Sequence, residues 1–366
     1  MLFSFLYWYQ LIFSNFNMTK AFCFKHVLSF NNPSGTSRGI LNQKTSWFIV
    51  IKNEKKIGIG ECSLIEGLSP DPMESYEKTL NYTCENIHLG FDVISKKLES
   101  YPSILFGLES AFLSLNSISP FSIFPSDFTT HKDNIPINGL VWMGDKDFMR
   151  SQVIEKINSG FDCIKIKIGA IDFNTELELL KNIRREFSEK DIEIRVDANG
   201  AFNYAEALKN LSLLYKLKIH SIEQPIMPNQ WEKMSSLCEK SPIDIALDEE
   251  LINVSSLKQK EMLLSIRPKY IILKPSLIGG LKKAENWVGL AEKNDIKWWA
   301  TSALESNVGL NIIAQWVYQK SSSMKQGLGT GKLYSNNIAS PHYIRKGCLY
   351  HNPKIKWNMN FFKEFV

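Results

Sequence analysis

Six short apolar segments of this chain each run into a polar or charged tip, and the tips fall 25–30 residues apart: Lys167, Asp197, Glu223, Asp248, Lys274 and the Ser302–Glu305 turn. The segments are CIKIKIG, IEIRVDANG, IHSIEQPI, PIDIALDEEL, YIILKPSLIGG and KWWATSALESNVGL, with amphipathic stretches such as ELELLKNIRREF between them. One strand per interval with a helix in between builds a parallel sheet. IPINGLVWM ahead of them adds one more strand, giving seven or eight units with every charged tip at the same end. That pattern predicts a closed (β/α) barrel, whose working face lies at the C-terminal ends of the strands.

The residues before the barrel read differently. KAFCFKHVLSF, TSWFIVIKN and KKIGIGECS are strand-like, with NNPSGTSRG as a polar loop and Asn53–Lys56 as a hairpin turn. Residues 73–116 carry apolar side chains at spacings of three and four and read as helices. The expected organisation is an α/β chain: an α+β capping domain over 18–130, a barrel over 131–335, and a C-terminal segment, 336–366, that completes the cap. Residues 1–17 are expected to be an extension, with Met18 as the working start. Their apolar run is broken by Gln10 and Asn15 and is short for a membrane span. It also lacks the positive n-region of a secretory signal.

A net charge of +5 spread over 366 residues leaves no basic patch of the kind nucleic acid needs. The six cysteines are scattered without metal-binding spacing, so reduced thiols and a cytoplasmic setting are expected. The expected partner is a small-molecule carboxylate, with no nucleic acid, no stable membrane insertion and the oligomeric state open.

The chemistry is concentrated at the tips. Asp197, Glu223 and Asp248 end three successive strands and therefore lie side by side. Three converging carboxylates repel one another unless a cation neutralises them, and an all-oxygen set favours a hard divalent ion such as Mg²⁺, with Mn²⁺ as a substitute. Any one of these acids alone could simply cap a helix. Lys165 and Lys167 sit two apart, so they share the inward face of one strand. A buried amine near another cation is pushed toward its neutral form and can act as a base. Lys274 comes from across the barrel. Two amines facing each other over a metal suit removal of a proton alpha to a carboxylate, although Lys165 is equally explained by an ion pair with a barrel acid. Arg195 and Asn199 share the face of Asp197 and flank it, either at the substrate or as barrel packing. Glu249 should point away from its neighbour Asp248 unless the strand end turns it inward.

The ordered set KIK, DAN, EQP, DE and KP resembles the enolase superfamily, in its muconate-lactonizing subgroup. PSGTSRG at 33–39, GIGECS at 58–63, GLSPD at 67–71, INGLVWMG at 137–144, SALESNVGL at 302–310 and GLGTGKLYSNNI at 327–338 are most similar to the o-succinylbenzoate synthase family. The resemblance implies a modified (β/α)7β TIM-like barrel under an α+β cap, with Mg²⁺ on Asp197, Glu223 and Asp248. It implies that Lys167 takes the proton alpha to the carboxylate of 2-succinyl-6-hydroxy-2,4-cyclohexadiene-1-carboxylate. The same amine, once protonated, helps the hydroxyl leave in a syn dehydration on the way to menaquinone, while Lys274 stabilises the enediolate by its charge. It implies substrate contacts from Ser37 and Arg38 in a cap loop, with Arg38 meeting a carboxylate, and from Ser302 and Glu305. The same scaffold serves racemases of N-acylamino acids and dipeptide epimerases, the alternative reading.

Overall fold

The computed structural model describes residues 19–36 and 39–364. The expected extension at 1–17, and with it Ser37 and Arg38, lie outside the described residues.

The chain begins with a three-stranded antiparallel sheet in the order β1 (Lys20–Thr36), β2 (Gly39–Lys52), β3 (Ile57–Ser63). Two helices, α1 (Met73–Glu85) and α2 (Phe91–Ser95), then lead into α3 (Pro102–Asn116). Helix α3 lies against β3 because neither side of the crossing carries bulk. A Cβ at Gly60 would collide with the backbone of Gly107, and one at Gly107 with the Cys62 side chain. The polar stretch read as a loop is a correction. After a register shift between Ser29 and Ser34, Ser34, Gly35 and Thr36 pair with Leu41, Ile40 and Gly39, so the β1–β2 hairpin runs on almost to its tip. The Asn-Asn-Pro-Ser composition disguises a strand that is interrupted by an irregularity. The hairpin reaches the barrel mouth, where Gly35 bridges Met143.

The barrel follows. Seven parallel strands, β5 (Gly139–Val141), β6 (Cys163–Lys167), β7 (Glu193–Asp197), β8 (Ser221–Glu223), β9 (Asp244–Leu247), β10 (Tyr270–Leu273) and β11 (Lys297–Ala300), pair in chain order. The intervening helices are α4 (Lys146–Asn158), α5 (Phe173–Glu186), α6 (Tyr204–Tyr215), α7 (Trp231–Lys240), α8 (Ser256–Ile266), the one-turn α9 (Pro275–Ile278) and α10 (Leu281–Glu292), with α11 (Asn307–Lys320) after β11. The closing stave is the short segment 326–327. Gly327 N–H donates to Ala300 O (2.8 Å) and Gln326 N–H to Pro136 O (2.9 Å), while Asn138 N–H donates to Gln326 O (2.9 Å). These bonds join β11 to the segment ahead of β5 and complete the (β/α)7β barrel.

Alternation along the strands sorts the side chains. Ile164, Ile166, Ile194, Val196, Ile222 and Leu273 pack with Leu180, Leu211, Leu237 and Trp287 of the helices in one buried cluster. Each such side chain contributes roughly 1.5–3 kcal/mol by leaving water. The opposite face of the strands carries the lysines and carboxylates. A smaller cluster of Ala246, Tyr270, Ile272 and Trp299 is separate from the main core.

Local capping explains where three barrel helices start. Asp145, Asp172 and Asn203 accept from the first-turn N–H groups of α4, α5 and α6. Two barrel helices take capping contacts from the cap, α11 in addition to its own Ser306 hydroxyl, which accepts from Val308 N–H. Helix α10 follows Gly280, which has no side chain to offer, and its Leu281 and Lys282 N–H groups donate to Glu109 of α3. At the start of α11, Ser306 N–H donates to Glu61 of β3 (2.9 Å), as does Gly309 N–H (2.9 Å).

The C-terminal residues divide between the two parts. Strands β12 (His342–Arg345) and β13 (Cys348–His351) form a sheet with β4 (Ile135–Pro136). Phe361 and Phe362 pack tilted and edge-on against Phe24 and Phe48 of the cap sheet. No helix among the described residues is long and apolar enough to cross a membrane.

Candidate active site

Strand register brings the tips together. Lys167 pairs with Asp197, and Asp197 with Glu223, across adjacent strands. Asp197, Glu223 and Asp248 are all buried, and one carboxylate oxygen from each lies within 4.8 Å of the others. Lys165 Nζ donates to Glu223 Oε2 (2.7 Å) and forms an ion pair with Asp197 Oδ2 (3.1 Å). Lys167 Nζ donates to Asp197 Oδ2 (3.3 Å) and Asn199 Oδ1 (2.7 Å). Lys274 Nζ donates to Asp248 Oδ2 from the far side.

The lysines differ electrostatically. Burial lowers the Lys167 amine against the pull of Asp197, and the charges of Lys165 and Lys274 lower it further. Burial acts on Lys274 too, but Asp248 and Glu249 overcome it and hold that ammonium above its ordinary value. Lys165 behaves in the same way, held charged by Asp197 and Glu223 against its burial. Burial would raise Asp197, but Lys165 and Lys167 hold its carboxyl below the usual range.

The donor set fits a divalent cation. All three carboxylates supply hard oxygen ligands, and Glu223 Oε1 is buried without a hydrogen-bond partner. An ionised oxygen without a partner is costly in a low-dielectric interior, and a bound cation removes that cost.

Above the carboxylates lies a cavity of about 760 Å³, whose wall includes Lys165, Lys167, Asp197, Asn199, Lys274 and Ser302. Asn31, Asn32 and Pro33 of the hairpin, with Ile65 and Leu68 of the cap, close it from above. Ser302 Oγ donates to Glu305 Oε2 (2.6 Å) and accepts from Thr330 Oγ1 (2.8 Å).

Two expected substrate contacts are placed elsewhere. Arg195 faces the barrel interior one step below Asp197. Its guanidinium donates to Glu193 Oε1 (2.7 Å) and Lys325 O (2.9 Å) and covers the Trp299 ring, away from the cavity wall. Sharing a face with Asp197 put it inside the barrel but one layer too deep. Glu305 is fully buried, accepts from Ser276 and Ser302, and does not line the cavity. Glu249 is the reverse case. The chain turns into a 3-10 helix, Glu249–Leu251, directly after Asp248, so alternation ends and Glu249 swings toward Asn199, whose Nδ2 donates to Glu249 Oε1 (2.9 Å).

Gln224 is a residue the sequence did not single out beyond its place in EQP. Its Oε1 accepts from Asp248 N–H and Glu250 N–H (both 3.2 Å), and its Nε2 donates to Glu250 Oε2 (3.0 Å), which fixes the turn that carries Asp248. Its positive φ of 37° was the signal missing from the sequence.

Residues 149–350 match the family model described as Enolase C-terminal domain-like, more than half of the chain. The chain belongs to the enolase superfamily. Among members of this superfamily, the o-succinylbenzoate synthase of Desulfotalea psychrophila is 44% identical over 353 residues, spanning 88% of this chain and 96% of that protein. The crystal structure of MenC from the same organism superposes with a TM-score of 0.82 at 39% identity, covering 91% of this chain and 100% of that one. A substrate-liganded L-Ala-D/L-Glu epimerase from Bacillus subtilis has a TM-score of 0.80 at 17% identity over 91% of this chain and 96% of its own, a likeness of fold alone.

Proposed function

We propose that this enolase-superfamily member is an o-succinylbenzoate synthase, a lyase that dehydrates 2-succinyl-6-hydroxy-2,4-cyclohexadiene-1-carboxylate. The observation that carries the reading is near-full-length similarity, 44% identity over 353 residues, to a synthase of that name. In this reading residues 18–130 cap a barrel of 131–335, residues 336–366 are shared between the two, and the enzyme works in the cytoplasm on a small carboxylate. The apolar and polar wall of the cavity, from Leu68 to Ser302, suits a ring with a succinyl arm.

Asp197, Glu223 and Asp248 would hold Mg²⁺, with Mn²⁺ as a substitute, and the cation supplies positive charge beside the substrate carboxylate. Lys167 takes the alpha proton, and its lowered amine suits a base. The electron pair left on the alpha carbon forms the new ring double bond as the carbon–oxygen bond to the hydroxyl breaks. Lys167, now an ammonium, returns the proton to the departing oxygen on the same face, so water leaves and the ring becomes aromatic. Lys274, held charged, faces the carboxylate while negative charge develops there. Lys165 keeps Asp197 and Glu223 in place.

The test is turnover of purified protein on the cyclohexadiene substrate, compared with N-succinylamino acids and dipeptides, before and after chelation. Dehydration that is lost with EDTA and restored by Mg²⁺ is expected. Rapid racemisation or epimerisation with no dehydration would overturn the assignment.

A further inference from the structure

Lys167 leans on Asn199, and an amide is an ambiguous support. It offers an acceptor oxygen on one side and a donor NH₂ on the other. Only the oxygen can hold a donating amine. What decides the orientation here is the far end of the same amide. Asn199 Nδ2 donates to Glu249 Oε1 (2.9 Å), and a carboxylate only accepts. With Nδ2 committed to Glu249, Oδ1 must face Lys167, at 2.7 Å.

Both ends of this chain of contacts are anchored. Asn199 sits at φ 44°, a left-handed conformation that asparagine tolerates better than most residues, and its N–H donates to Asp197 Oδ1 (3.1 Å). Glu249 rides on the turn gripped by Gln224 and Glu250, and Asn229 N–H donates to Glu250 (2.7 Å). Three strand ends are thereby tied to one amine: β6 through Lys167, β7 through Asn199, and β9 through the turn after Asp248. Glu249 is 9% exposed, and its Oε2 is buried without a partner, so the side chain is held at the site by a single hydrogen bond to Asn199.

We propose that Glu249 and Asn199 form a positioning relay that aims the Lys167 amine at the reacting carbon, with Glu249 acting only through Asn199. The inference rests on the reading of Lys167 as the base. Neither residue is asked to ligate the cation or to move a proton. A misplacement near 1 Å costs about 100-fold in rate, which sets the expected effect.

Asn199→Ala and Glu249→Ala are each expected to lower kcat about 100-fold with KM changed less than about threefold. The isotope effect on alpha-deuterated substrate should rise, because proton removal alone is slowed. The double variant should fall no further than either single, since both break one relay. Glu249→Gln, which keeps an acceptor oxygen, should recover at least about tenfold of the Glu249→Ala loss, with Mg²⁺-induced thermal stabilisation equal in all four proteins. A KM rise at constant kcat would make Asn199 a substrate contact and overturn the relay. So would losses that multiply in the double variant, or an unchanged isotope effect. A crystal structure of Glu249→Ala is read independently of substrate. The Asn199 amide should rotate and Lys167 Nζ should move, and an unmoved amine overturns the relay. Wild-type protein that never dehydrates the cyclohexadiene substrate sinks the functional assignment alone, and that crystal structure still decides the relay.

Discussion

Two sets of buried carboxylates in this molecule are treated in opposite ways. At the strand tips, Asp197, Glu223 and Asp248 are met by lysine amines, and Glu223 and the adjacent Glu249 each keep an oxygen with no partner. Where cap meets barrel, Glu61 and Glu109 are met by backbone N–H groups at helix starts, and Glu61 also accepts from the hydroxyls of Ser46 and Ser306. Neutral donors at a helix N-terminus offset the burial of a carboxylate and leave nothing further to bind. Carboxylates crowded together with oxygens to spare are primed for a ligand the chain does not itself supply. The same side chain is a fastener in one place and a socket in the other.

Breaking the socket should abolish function and spare the fold. Lys167→Ala is expected to cut dehydration by about 1,000-fold or more, with an unchanged circular dichroism spectrum. Because the base must be neutral, wild-type kcat/KM should rise with pH on its acid limb. Burial places that limb below the ordinary lysine value of 10.5. A limb at or above 10.5, or a variant that still turns over, would remove Lys167 from the role.

Breaking the fastener should do the reverse at first. Glu61→Ala strips the partners from Ser306 N–H and Gly309 N–H in a fully buried position. A loss of about 3 kcal/mol of stability is expected, read as a lowered melting temperature, while Mg²⁺ binding to the barrel persists. An undiminished melting temperature would show that the contact does not fasten the cap.

The smallest effect sharpens the comparison from a third carboxylate. Asp71 accepts from Ser103 N–H and Oγ at the start of α3, yet its Oδ2 is buried without a partner. Burial raises its carboxyl from 3.8 to about 6. A folded value above the unfolded one means the ionised group costs stability. The cost is full above pH 6 and fades as pH falls toward 4. Asp71→Asn should therefore stabilise the protein at pH 8, on the order of 1–2 kcal/mol, and much less at pH 4.5. Equal gains at both would show that Asp71 titrates normally.

The socket was legible in the sequence and the fastener was not. Alternation along β6 and β7 places Lys165, Lys167 and Asp197 on known faces, and the spacing of the units sets Glu223, Asp248 and Lys274 beside them. That logic stops where alternation stops. Glu249 turned inward because a 3-10 turn follows β9, and Arg195 fell a layer short of the cavity although its face was read correctly. Two residues of closing stave, 326–327, carry too little pattern to be seen. Glu61 meets Ser306 across 245 positions of chain, and no local signal reports such a meeting.

The aromatic contacts of the last residues carry a consequence for how the molecule is made. Phe24 and Phe48 lie in β1 and β2, translated well before Phe361 and Phe362, which cover them. Asn336 likewise hydrogen-bonds to Val27 and Ser29. Domains generally fold in order of synthesis, yet here a sheet made more than 300 residues earlier is finished only by Phe361 and Phe362. Its aromatic face waits uncovered while more than 300 residues are translated. A nascent chain of this design offers a chaperone a defined apolar target, and removal of Phe361 and Phe362 should be felt at β1 and β2.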